Sequence, residues 1–107
     1  NVVFIDDDNR HMYDLHYGIR FVETSHYKIC DYEVFIGFIY GILSQNGDIQ
    51  KIFVDGLNNI IESLNSDDFE NLCGILDRIS NSYNVDFTLI YSAPLSAVPD
   101  QVRKYIC

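Results

Sequence analysis

The sequence predicts an α/β fold, a three-layer sandwich around a mostly parallel sheet. Two observations carry this. Short apolar, β-branched runs, Val2–Ile5 and Ile52–Val54, stop abruptly at the acids Asp6 and Asp55. Runs that are apolar on both faces mark strands buried inside a parallel sheet, where a half-exposed strand would alternate. Between and after them lie longer stretches with helical spacing of apolar residues, and strand alternating with helix gives layered α/β architecture.

Taken in order, Val2-Val3-Phe4-Ile5 is the first strand and Asp6-Asp7-Asp8-Asn9 ends it. Residues 9–17 have room for a helical turn or loop. Ile19 to Glu23 alternates, which predicts a strand nearer the sheet edge. Asp31 is a natural N-cap for a helix over Tyr32 to Leu43. Apolar residues fall on nearly every face of that helix, which predicts heavy burial, with Gly37 and Gly41 allowing a close helix–sheet approach. Asn46-Gly47-Asp48 is a stop and turn signal. The third strand is Ile52 to Gly56. Ser66 then caps a helix over Asp67 to Ser82, with acids in its first turn where the helix dipole favours them. Val85 to Tyr91 is the fourth strand, Ser92-Ala93-Pro94 ends it, and Pro99 opens a last helical piece through Tyr105. Residues 1–107 read as one domain without repeats or linkers.

A chain of 107 residues buries roughly two-thirds of its unfolded surface, enough for a core without staples. Lys and Arg number 7 against 16 Asp and Glu, a net charge of −9. That balance opposes duplex nucleic acid and anionic membranes, both of which need a basic face. The 3 cysteines, Cys30, Cys73 and Cys107, form no CxxC pair; they suit a reducing, cytoplasmic setting and read as small buried hydrophobes. No apolar run has transmembrane length. His11, His16 and His26 lack ligand spacing, and the tyrosines, Tyr83 among them, read as packing residues.

Ligands of open parallel sheets gather at the carboxyl ends of the strands. Here these ends carry Asp6, Asp7 and Asp8, then Asp55, then Ser92. Adjacent carboxylates repel unless a cation or a helix N-terminus is nearby, and a hard divalent ion such as Mg²⁺ takes oxygen ligands of this type. The plainer alternative is that acids simply end strands and cap turns.

The order of these pieces resembles the RecA-like branch of P-loop NTPases. There a strand of the form FIDxE precedes a long helix, a Walker-B strand follows, and a later strand ends in a small polar sensor residue. The chain supplies VVFIDDD (2–8), the helix 32–43, KIFVDGLNNI (51–60) and FTLIYSA (87–93). More narrowly, NVVFIDDDNRHMYDL, FIGFIYGILSQNGDI and VDFTLIYSA make the whole chain similar to small bacterial ATP-binding proteins known as twitching-motility, PilT-type proteins. The resemblance implies Asp55 as the Walker-B acid that holds Mg²⁺ through water. It puts Asp8 at the position of the water-activating acid and Ser92 at the sensor position near the γ-phosphate. Gly56 stands where many relatives carry a second Walker-B acid.

A phosphate-binding loop reads G-x-x-x-x-G-K-[ST], and none of Lys28, Lys51 and Lys104 follows a glycine-rich turn. In the resembling proteins that loop precedes the NVVFID segment, which implies that residues 1–107 match the C-terminal part of a larger P-loop protein. ATP and Mg²⁺ belong to such a parent. The chain alone is expected to bind no cofactor and to hydrolyse no ATP. The missing P-loop strand would leave the edge of strand 87–91 open, which predicts a homodimer or strand exchange. A degenerate, non-catalytic interaction module is the alternative. A receiver-type phosphoacceptor domain also resembles the start, VVFIDDDNR, and would make Asp55 the phosphoacceptor; its expected fifth strand has no counterpart, since Lys104 follows Ser92 too closely.

Overall fold

The computed structural model describes residues 1–8, 18–45 and 47–90. These form an α/β unit with strands β1 (Val2–Asp6), β2 (Ile19–Glu23), β3 (Lys51–Asp55) and β4 (Asp86–Ile90). The helices are α1 (Tyr32–Gln45), the short α2 (Leu57–Ile60) and α3 (Ser66–Tyr83), with a 3-10 turn at Thr24–His26. All strand pairs are parallel, and the order is β2-β1-β3-β4. The edge position of Ile19–Glu23 is as its alternation predicts.

Register sorts the strand residues onto two faces. Val3 sits beside Ile52, Ile5 beside Val54, Ile52 beside Phe87 and Val54 beside Leu89. All six are buried. They form one core with Phe35, Ile39 and Leu43 of α1, Leu57 and Ile60 of α2, and Phe69, Leu72, Leu76 and Ile79 of α3. The other face carries Phe21, Phe4 and Phe53 in one row, all half-buried. Phe4 lies 6.2 Å from Phe21 and 6.3 Å from Phe53 between ring centroids, offset contacts of the type that stabilise aromatic rows. Lys51 Nζ lies 5.4 Å from the Phe53 centroid.

The helix ends correct one expectation and uphold another. Asp31 Oδ1 accepts a bond from Val34 N at 3.0 Å, so it caps α1 as predicted. For α3 the cap is Asn65, whose Oδ1 accepts from Asp68 N at 2.8 Å, and Ser66 is already the first helical residue. Both residue types cap well, and Asn65 holds the extended backbone a cap requires. The helix closes at Asn84, in the left-handed region at φ 55, a conformation Asn tolerates better than most residues. The segment Pro99–Tyr105 and Tyr91 of the fourth strand lie outside the described residues.

Helix α1 is less buried than its composition predicts. Phe35, Ile36, Ile39 and Leu43 face the core, while Val34 and Tyr40 are 43% exposed. Gly37 and Gly41 are on the open side, and a Cβ at either would meet nothing within 4 Å. They do not permit a close approach to the sheet; one helix face suffices to cover it, and the apolar residues of the other faces stay at the surface. Exposed helical glycine costs about 1 kcal/mol against alanine. Gly37→Ala and Gly41→Ala should therefore each raise the unfolding free energy by roughly 0.5–1 kcal/mol in urea titrations. A loss of stability would mean that the glycines do sit against a neighbour.

Tyr83, predicted to pack, is 49% exposed and meets Tyr40 edge-on, ring centroids 6.2 Å apart. Cys73 is buried as expected, and desolvation pushes its thiol up to about 12, which makes it a poor nucleophile at neutral pH. Cys30 is half-buried. Among the described residues no helix is long and apolar enough to cross a membrane.

Candidate functional site

The carboxyl edge of the sheet collects acids because parallel strands that end together place their last residues side by side. Asp6 pairs in register with Glu23 of β2. On its other side Ile5 pairs with Val54, so Asp6 and Asp55, the next residue of each strand, are neighbours. Three of the strand-end positions on one face, Glu23, Asp6 and Asp55, are thus carboxylates in a row.

Within this row Asp6 is the distinctive residue. It has no exposed surface. Its Oδ1 accepts from Asp7 N at 2.7 Å, and its Oδ2 is buried with no hydrogen-bond partner among the described residues. Its carboxyl is pushed up from 3.8 to about 6. Burial is the main cause, followed by the Asp7 side chain, which favours a proton held between the two acids, and by the charges of Asp55 and Asp7. The backbone bond from Asp7 acts in the opposite direction. The Asp6 main-chain oxygen is also engaged, accepting from the buried Thr24 hydroxyl at 3.2 Å.

Asp7 and Asp8 follow as the chain leaves β1. One oxygen of each of Asp6, Asp7 and Asp8 lies within 4.8 Å of the others. A buried carboxylate oxygen beside two more carboxylates lowers its electrostatic cost in one of two ways: a shared proton or a cation. The donors are all hard oxygens, the set that suits Mg²⁺ or Ca²⁺ and not a thiophilic metal. The residues present therefore fit a divalent cation.

The rim of this edge is built by two loops. Glu62 N donates to Ile29 O and Ser63 N to Cys30 O, both at 3.2 Å, tying the segment after α2 to the one before α1. Gly56, between β3 and α2, has φ 69 and ψ 36, backbone that glycine adopts without strain. His26 is exposed, its Nε2 3.7 Å from Glu23 Oε2.

Of the residues the sequence nominates, Asp8 and Asp55 are placed at this edge, Asp8 inside the three-acid group and Asp55 on the strand beside it. Both are half-buried. Ser92 lies outside the described residues, as do His11 and His16. Asp6 carries the strongest electrostatic signature, yet the resemblance assigned it no role. No sequence signal marked its burial: it shares the face of Phe4, which is half-buried, and breaks the alternation of β1 by being buried itself. Glu23 gave no local signal, since only the register brings it level with Asp6.

No family model, no curated protein and no solved structure matches the chain.

Proposed function

We propose that this chain is the acid-bearing part of a RecA-like, nucleotide-dependent α/β domain, a three-layer sandwich in its complete form, and that its strand-end carboxylates hold the Mg²⁺ accompanying ATP. The observation that carries the reading is the buried Asp6 oxygen, without a hydrogen-bond partner among the described residues, set among Asp7 and Asp8 and beside Asp55. Asp6, Asp7 and Asp8 hold the cation directly, and Asp55 reaches it through a water molecule. Asp8, the most outlying of the three in sequence, stands where the resembling proteins activate the attacking water. Ser92 belongs to the sensor position. The cation, when bound, neutralises phosphate charge; the chain's own residues fix it and orient its waters. Strand order supports the reading, since β4 has β3 as its one neighbour among the described residues, and a P-loop strand belongs beside the sensor strand.

Against the expectation from sequence that the chain alone binds no cofactor, paramagnetic Mn²⁺ titrated into it should bind, and Asp55→Asn should weaken that binding about tenfold or more. The same chain should show no heat of Mg-ATP binding, because its sequence carries no G-x-x-x-x-G-K-[ST] loop and its charge of −9 repels a polyanion. Absence of Mn²⁺ binding by the wild-type chain, or micromolar Mg-ATP binding, would overturn this assignment.

One observation favours a second reading. The order β2-β1-β3-β4 equals the first four strands of the flavodoxin-like order 2-1-3-4-5 shared by receiver domains. Acids after β1 and Asp55 ending β3 suit a phosphoacceptor that also needs a divalent ion. Incubation with acetyl phosphate and Mg²⁺ separates the two: one added phosphoryl group, lost in Asp55→Asn, supports the receiver reading, and no addition supports the first.

A further inference from the structure

We propose that Gly56 is a positioning residue for the cation site: the space left by its missing side chain seats the Asp7 carboxylate and aims it at Asp6 and Asp8. This rests on the cation reading of the edge. A Cβ at position 56 would stand 2.5 Å from Asp7 Oδ1, 3.2 Å from Asp7 Cγ and 3.7 Å from Asp6 Oδ1. The first distance is shorter than any non-bonded contact allows. The Asp7 carboxylate therefore occupies the volume in which a side chain of residue 56 would begin, and any substitution there must evict it.

The consequence is a division of labour between two strand ends. β3 contributes backbone without a side chain at 56, and β1 reaches across to fill the place with an acid. Asp7 Oδ1 is fully buried there, and its companion Asp6 has no exposed surface and an Oδ2 with no hydrogen-bond partner among the described residues. That second feature calls for neutralisation by a shared proton or a cation, and of the two the cation engages all three acids. Gly56 has a left-handed φ of 69. Asp and Asn enter that backbone region more readily than other residues, so an acid can be carried from either side of the seat.

This permits a swap. Asp7→Ala should weaken Mn²⁺ binding about tenfold or more, measured by paramagnetic resonance on the whole chain, with thermal melts in EDTA to confirm folding. Gly56→Ala should weaken it by a similar factor although every carboxylate is retained. In Asp7→Ala/Gly56→Asp the acid grows from position 56 into the vacated seat, and binding should return toward the wild-type value. Gly56→Asp alone, with both acids competing for one seat, should bind worse than the double variant. Wild-type affinity in Asp7→Ala, or a folded double variant that binds no better than Asp7→Ala, overturns the inference and leaves the cation reading standing. A wild-type chain that binds no Mn²⁺ overturns both. Should Gly56→Ala not fold, the comparison of Asp7→Ala with the double variant decides by itself.

Discussion

Asp6→Asn is expected to make the chain more stable at pH 7 and, at the same time, to abolish its hold on divalent cations. The two effects share a cause. In the absence of a cation, the buried Asp6 carboxylate is costly: it has no exposed surface, one oxygen has no hydrogen-bond partner among the described residues, and the acids around it repel it. Its pKa stands at about 6 in the fold against 3.8 in the unfolded chain. Between those values the folded state binds more protons than the unfolded state, so stability falls as pH rises from about 4 to about 6. From about a unit above the folded value the full penalty is present, on the order of a few kcal/mol. Asparagine keeps the acceptor for Asp7 N and is neutral, so it removes the penalty and adds a donor toward the neighbouring acids. Melts in EDTA should show Asp6→Asn more stable than wild type at pH 7, by roughly 10 °C, with the difference shrinking toward pH 4. Mn²⁺ should raise the wild-type melting temperature and leave that of the variant unchanged. A variant less stable than wild type at pH 7 would show that Asp6 is a structural acid whose charge the fold needs.

This opposition between stability and site chemistry is how functional positions differ from core positions. Val54 and Leu89, also strand residues without exposed surface, satisfy local pattern and global packing together. Asp6 violates the pattern, ending an apolar strand with a buried charge, and nothing in the sheet gains from it.

The architecture was legible in the sequence where local chemistry dictates it. Buried parallel strands must be apolar on both faces, so Val2–Ile5 and Ile52–Val54 identified themselves, and acids cannot continue such a strand, so their ends were equally plain. The helices were legible as helices. Which face of α1 is covered was not, because Val34, Phe38 and Ile42 are as apolar as Phe35 and Ile39, and the choice is made by the sheet and α3. Gly37 and Gly41 were misread for the same reason: a glycine on an apolar helix signals close approach only if its side of the helix is the covered one. The site was half legible. The acid run announced itself as charge, while the burial of Asp6 runs against the alternation of β1, and Asp55 and Glu23 arrive level with it from distant segments. Gly56 could be read as a turn residue, but its partnership with Asp7 exists only once β1 and β3 lie side by side.

Leu76→Ala is expected to produce a large loss of stability while leaving the acidic edge intact. Leu76 lies in α3, has no exposed surface, and belongs to the core shared by α1, α3 and the covered face of the sheet. Truncating a leucine in such a place removes its transfer free energy and leaves a cavity that rigid neighbours fill only in part, costing about 2–5 kcal/mol. Here the upper half of that range applies, because the site is walled by secondary structure that cannot relax toward it independently: α1 and α3 are held by caps at Asp31 and Asn65. For a chain of this length a loss of that size lowers the melting temperature by roughly 15 °C or more. Ile75, the preceding residue, is only partly buried against the core, and Ile75→Ala should cost less than half as much, roughly 1 kcal/mol. Urea unfolding of the pair checks both values. Because Leu76 is in mid-helix and supplies no group to the acids of β1 and β3, the folded fraction of Leu76→Ala should bind Mn²⁺ as wild type does, whereas Asp6→Asn should be more stable and bind none. Equal losses in Leu76→Ala and Ile75→Ala would mean that α3 does not present to the sheet the face assigned to it. A loss of Mn²⁺ binding in still-folded Leu76→Ala would mean that the cation site depends on the packing of α3, and not on the strand ends alone.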